Sequence, residues 1–72
     1  MNFSNNISFG FYDDNIYVKA VNISKNVYKQ LLSWKWKIKQ NSFPNLIIFT
    51  DEIIPVNKLK QKIAKLVLSK NI

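Results

Sequence analysis

Lysine supplies most of the charge chemistry this chain can do. Lys25, Lys29, Lys35, Lys37 and Lys39 fall between Ser24 and Gln40, a run that also holds both tryptophans and no acidic residue. An acid-free cationic run beside an aromatic ring is the footprint of backbone-tracking nucleic-acid binding. Ammonium groups release counterions from phosphates, and the ring stacks on bases. The candidate nucleic-acid-binding residues are therefore Lys25, Lys29, Lys35, Trp36, Lys37 and Lys39, joined by Lys58, Lys62 and Lys65 further on. The formal net charge is +7, from eleven lysines and no arginine. Without the planar guanidinium fork, bidentate readout of guanine is closed to the chain, and lysine acts as a point charge. The competing reading is a solvated helix face in a lysine-rich protein, because net charge speaks to partners and not to fold.

Other chemistries are excluded by composition. No histidine and no cysteine are present, so disulfides, thiolate catalysis, serine triads and the usual zinc sites are absent. Gly10 is the single glycine, which leaves no phosphate-cradling glycine loop. The acids form two adjacent pairs, Asp13-Asp14 and Asp51-Glu52. They share an ion only if the fold brings both pairs to one end of a sheet. Turn chemistry and helix N-terminal acids account for them otherwise. No catalytic residue, metal or cofactor is expected.

The elements that position these residues follow from hydrophobic spacing. Ile7, Phe9 and Phe11 alternate with Ser8, Gly10 and Tyr12; Ile16, Val18 and Ala20 alternate with Tyr17, Lys19 and Val21. The two runs predict a β-hairpin about the Asp13-Asp14-Asn15 turn. A two-residue turn at Asp14-Asn15 would set Phe11 opposite Val18 and Phe9 opposite Ala20. Ser24 is a candidate N-cap. Val27, Leu31, Trp34 and Ile38 recur at helical spacing, which predicts a helix through Gln40 with Trp36 exposed among lysines. Residues 34–39 also alternate with period two, and as a strand they would hairpin against Leu46 to Thr50 with Trp36 in the core. Pro44 marks a break, Leu46 to Thr50 reads as a buried strand, and Pro55 precedes a last helix from Val56. Its core stripe is Val56, Leu59, Ile63, Leu66 and Val67; Leu68 points away.

Two stretches are similar to known families. Gly10-Phe11-Tyr12 followed by Ile16-Tyr17-Val18 and a lysine-rich helix resembles the opening hairpin of GIY-YIG nucleases. The resemblance covers about a third of the chain and implies Tyr12, Tyr17 and Glu52 as active-site residues. Lys19 stands where the second motif has glycine, and the motif's arginine is missing, which removes the phosphate-charge stabilisation such catalysis uses. Separately, Tyr17 to Ile23, Ser24, Val27-Tyr28, Leu31 and Ser42-Phe43 resemble ribbon-helix-helix repressors, which implies a strand in the major groove. Pro44 and the Leu46-Ile47-Ile48-Phe49 run depart from the second helix of that family.

The expectation is a single small α+β domain over residues 1–72, with residues 1–6 frayed. Its order is ββαβα, or ββαββα if residues 34–39 are a strand. The expected function is a non-enzymatic basic binding module, with nucleic acid as the leading partner. The alternative is a small protein-binding inhibitor or regulator that meets an acidic protein surface through Tyr28, Trp36 and Leu68. Abundant Lys, Asn and Ile, all with AT-rich codons, point to a low-GC genome and admit a phage or other mobile element as source. A third reading docks Val56 to Lys70 on anionic membranes as a basic amphipathic helix, although its apolar face is needed for the core. No membrane span and a cytoplasmic location are expected, since no apolar run is long enough to cross and residues 1–6 lack the features of a signal peptide. A homodimer is compatible with the exposed edges of a small sheet.

Overall fold

A computed structural model describes residues 6–69, apart from the side chains of Val67 and Ser69. The core position expected for Val67, the fraying expected of residues 1–5, and Lys70 lie outside the described residues. Asn6 is tied down, its carbonyl accepting from the Val21 amide at 2.8 Å.

The chain forms β1 (Ile7–Tyr12), β2 (Asn15–Ala20), α1 (Lys25–Ser33), β3 (Lys37–Ser42), β4 (Asn45–Thr50) and α2 (Val56–Ser69). It adopts the two-hairpin ββαββα version of the α+β fold; the ββαβα version lacked β3. The cause sits at Lys35, whose φ of 62° lies in the left-handed region. Its amide bonds the Leu32 carbonyl at 3.1 Å, and the Trp34 amide bonds that of Leu31 at 3.1 Å. A left-handed residue at this point terminates a helix. The helix through Gln40 is thus corrected to one that ends at Ser33. At its other end Ser24 caps as expected, with Oγ accepting from the Val27 amide at 3.2 Å.

The first hairpin turns one residue earlier than the sequence suggested. Asp13 (φ 49°) and Asp14 (φ 65°) occupy the two turn positions, the pair of positive φ values that matches the twist of the flanking strands. Phe9 therefore faces Val18 and Phe11 faces Ile16. Each partner moves by two residues, so every side chain keeps its expected face.

All pairings are antiparallel, in the order β1-β2-β4-β3. Each strand boundary in the second hairpin lies 30 residues after its counterpart in the first. With Val18 facing Ile48 at the centre, the strands of the two hairpins are placed about a local two-fold axis between those residues. Ile16, Val18 and Ala20 of β2 and Leu46, Ile48 and Thr50 of β4 are buried on one face. Val27 and Leu31 of α1, Leu59, Ile63 and Leu66 of α2, and Trp36 close over them. Burying a leucine or isoleucine of this kind is worth roughly 2 kcal/mol, so both helices are committed to this face. Among the described residues no helix is long and apolar enough to cross a membrane.

Candidate nucleic-acid interface

With both helices on one side, the other face of the sheet is left to its own side chains. Register assigns them: Ser8, Gly10 and Tyr12 from β1, Tyr17 and Lys19 from β2, Ile47 and Phe49 from β4, and Lys37 from β3. A bulge between Ile38 and Gln40 inserts Lys39 as an extra residue. Lys39 joins Lys19, Ile47, Ser8, Gly10, Tyr12 and Tyr17 around a shallow depression of about 420 Å3.

The aromatic geometry on this face is ordered. Tyr17 and Phe49 face each other across β2 and β4, stacked at 5.1 Å with planes 20° apart. Neighbouring strands are about 4.8 Å apart, so rings stacked at this spacing stand upright from the sheet. Tyr12 meets Tyr17 edge-on, at 5.7 Å and 76°. Its ring lies over Gly10, where an added Cβ would come within 3.3 Å of Tyr12 Cε2. Tyr12 is 66% exposed. The result is a ring that leans over Gly10 and is met edge-on by its neighbour, with Lys19 and Lys39 lining the same depression. Lys37 Nζ sits 6.0 Å from the Phe49 ring at the far end of the row.

The residues nominated from sequence are divided between the two sides of the molecule. Lys37 and Lys39 stand on the open face. Lys25 and Lys29 are exposed on α1, and Lys35 is exposed in the loop that follows it. Lys58, Lys62 and Lys65 line a second depression on α2 with Gln61, Ile54 and Glu52. Lys62 is partly buried, its Nζ 4.6 Å from the Trp34 ring and 5.9 Å from that of Trp36. Trp36 itself is 9% exposed and belongs to the core. Its expected role as an exposed stacking or interface anchor is therefore corrected. The period-two alternation after Lys35 turns it inward, against Trp34 at 5.1 Å. Of the other expected protein anchors, Tyr28 is half-buried, its hydroxyl donating to Asn41 Oδ1 at 2.6 Å and its ring edge-on to Phe43. Leu68 is exposed. Leu59, Ile63 and Leu66, which a membrane-docked α2 would need outside, lie in the core.

Tyr12, Tyr17, Phe49, Gly10 and Lys19 were not nominated as binding residues from the sequence. The usable signal was alternation: with Val18 and Ile48 facing inward, Tyr17, Lys19, Ile47 and Phe49 must share the opposite face.

The two acidic pairs do come to one end of the sheet, as the two-hairpin order requires. Asp13, Asp14 and Glu52 line a depression there with Phe11, Tyr12, Ile16, Ile53 and Ile54. Among the described residues no group of three or more acids is close enough to hold a metal ion. Tyr12 borders both this depression and the open face, whereas Tyr17 lines the open face alone and Glu52 lines the acidic end and the α2 depression. The trio implied by the nuclease resemblance does not converge on one pocket. Nor is the strand Tyr17 to Ile23 free to enter a groove, because β2 is paired on both sides, by β1 and by β4. Comparison with known proteins adds no relative: no family model, curated protein or solved structure matches the chain.

Proposed function

We propose that this protein is a non-enzymatic binding module for single-stranded nucleic acid, and that the open sheet face is its binding surface. One observation carries the reading: the exposed Tyr12 ring lies over Gly10 beside Lys19 and Lys39. A planar base stacks on the free side of that ring, and the flanking ammonium groups meet the phosphates. A depression of about 420 Å3 suits a ligand of nucleotide size. Lys37 extends the cationic track across the sheet, and the acids stand at the turn end.

The geometry favours single strands over duplex. The aromatic row lies on a sheet face, without a projecting helix or ribbon to enter a major groove, and its rings need unstacked bases. The lysines of α2 face away from this row and act as a general electrostatic field. Acidic protein partners would use that same field, but the tryptophan anchor assigned to them is inside the core.

The test is fluorescence anisotropy of labelled single-stranded and duplex oligonucleotides of mixed sequence, at low and moderate salt. Binding of the single strand, weakened by salt and by Tyr12→Ala, is the expected result. Equal or tighter binding of duplex, or affinity indifferent to Tyr12→Ala, would overturn the reading.

A further inference from the structure

We infer that the free edge of β1 pairs with the β1 edge of a second copy of this chain, joining two four-stranded sheets into one. The inference is independent of what binds the open face. It starts from the two sheet edges, which the local two-fold axis makes equivalent in position but which differ in chemistry. The β3 edge carries Lys37 and Lys39 and is broken by a bulge. Charges and bulges are how sheets block edge-to-edge association. The β1 edge, Ile7–Tyr12, has no charge, no proline and an uninterrupted register with β2.

Backbone geometry says which groups are offered. Val21 donates to the Asn6 carbonyl, so residues 6 and 21 form a hydrogen-bonded pair of the β1–β2 ladder. Such pairs alternate with pairs whose amide and carbonyl point outward. The outward set is therefore Ile7, Phe9 and Phe11, and no described strand lies on that side of β1. In an antiparallel pairing, directly opposed residues share a face. A two-fold register centred on Phe9 meets this condition. It sets Phe9 against its mate and Ile7 against Phe11, and all three exchange both backbone groups.

The side chains suit a second copy. Ile7, Phe9 and Phe11 all lie on the helix-facing side; Phe9 packs against the core and Phe11 is 54% exposed. A second copy would cover Phe11 with the partner's Ile7 and continue the apolar layer. On the other side Ser8 would stand opposite Gly10 of the mate, so the two open-face depressions would run together. The acidic turn Asp13-Asp14 of each copy would lie beside the seam, at the end of the mate's hairpin that carries Lys19, bringing opposite charges to the two ends of the seam in a strongly basic protein.

Sedimentation equilibrium over a range of concentrations tests this, with Phe11→Lys and Ile38→Lys compared. Ile38 is the half-exposed, helix-side residue on the β3 edge, and so it serves as the control. The wild-type chain and Ile38→Lys should show the mass of a dimer. Phe11→Lys should remain folded by circular dichroism and dimerise about tenfold or more weakly, since it opposes a buried charge to Ile7. Hydrogen exchange supplies a readout free of mutation: the Ile7, Phe9 and Phe11 amides should gain protection as concentration rises. A monomer at every concentration, a dimer indifferent to Phe11→Lys, or exchange at those amides that ignores concentration would overturn the inference.

Discussion

Gly10 and Tyr12 stand two residues apart on one strand, and the tyrosine ring occupies the space a side chain at position 10 would fill. The missing Cβ thus has a positional use, because it lets the Tyr12 ring lean over position 10 and meet Tyr17 edge-on. Gly10→Val separates this use from stability. Valine suits a strand better than glycine by roughly 0.5–1 kcal/mol, so thermal stability should hold or rise. The displaced Tyr12 ring should weaken single-strand binding by about fivefold or more, within the range of losing one base stack. A thermal melt paired with an anisotropy titration measures both.

The lysines on the two sides of the molecule should behave differently toward salt. Replacing Lys19, Lys37 and Lys39 together with glutamine removes the charges beside the aromatic row. Removing one lysine–phosphate pairing lowers the slope of log affinity against log salt by about 0.7 for single strands, so the triple variant should reduce that slope by as much as about 2. Glutamine at Lys58 and Lys60, both exposed on α2, should change it little. Binding isotherms at four or five salt concentrations give the slopes.

Tryptophan fluorescence should report folding and not binding. Trp36 is buried, Trp34 is half-buried against it, and Lys62 caps the pair from α2. Acrylamide should therefore quench emission weakly in the native protein and strongly in denaturant. Saturating oligonucleotide should leave the emission almost unchanged, because the open face lies across the sheet from both indoles.

Much of the fold was legible in the residues. Alternation in Ile7 to Tyr12 and Ile16 to Val21 placed the first hairpin, and Ser24 announced α1. The stretch after Leu32 was ambiguous for a physical reason. Val27, Leu31, Trp34 and Ile38 satisfy a helical period, while Trp34 to Lys39 satisfies a period of two, and neither run is long enough to exclude the other. The deciding feature, the left-handed backbone at Lys35, has no strong residue signature, since lysine rarely marks that conformation. The site was less legible than the fold. Lysine density drew attention to Trp36, whereas the aromatics of the open face lie on β1, β2 and β4 and become one row only after the hairpins pair. Tyr17 and Phe49 are 32 positions apart in sequence, and the β2–β4 register alone makes them neighbours.

Lys62 presents a stability question separate from binding. Its ammonium group lies 4.6 Å from the Trp34 ring and is partly buried, a geometry in which cation–π attraction is worth about 0.5–1 kcal/mol near a surface. Lys62→Gln should lower unfolding free energy by about that amount, and Lys58→Gln, on the same helix, should cost less. Urea denaturation followed by circular dichroism distinguishes them.

The β1–β2 turn offers the opposite case, a position where the native residue is not the most favourable one. Asp13 and Asp14 both hold positive φ, at 49° and 65°, in a turn that favours asparagine followed by glycine. Aspartate tolerates this region better than most residues, yet its Cβ still makes it less comfortable there than glycine. Glycine also widens the unfolded ensemble, which offsets part of the gain. Relief of the left-handed strain is the larger effect where φ is near 65°, so Asp14→Gly should stabilise the fold by about 0.5 kcal/mol. Asp13→Asn with Asp14→Gly should add to it. Because asparagine and glycine keep the left-handed turn that holds the adjoining Tyr12 over Gly10, neither change should reduce single-strand affinity by more than about twofold, and loss of two negative charges should raise it slightly at low salt. Chemical denaturation and anisotropy on the same preparations check both expectations. A destabilised Asp14→Gly would mean that the aspartate carboxylate contributes more to the turn than the left-handed backbone costs it.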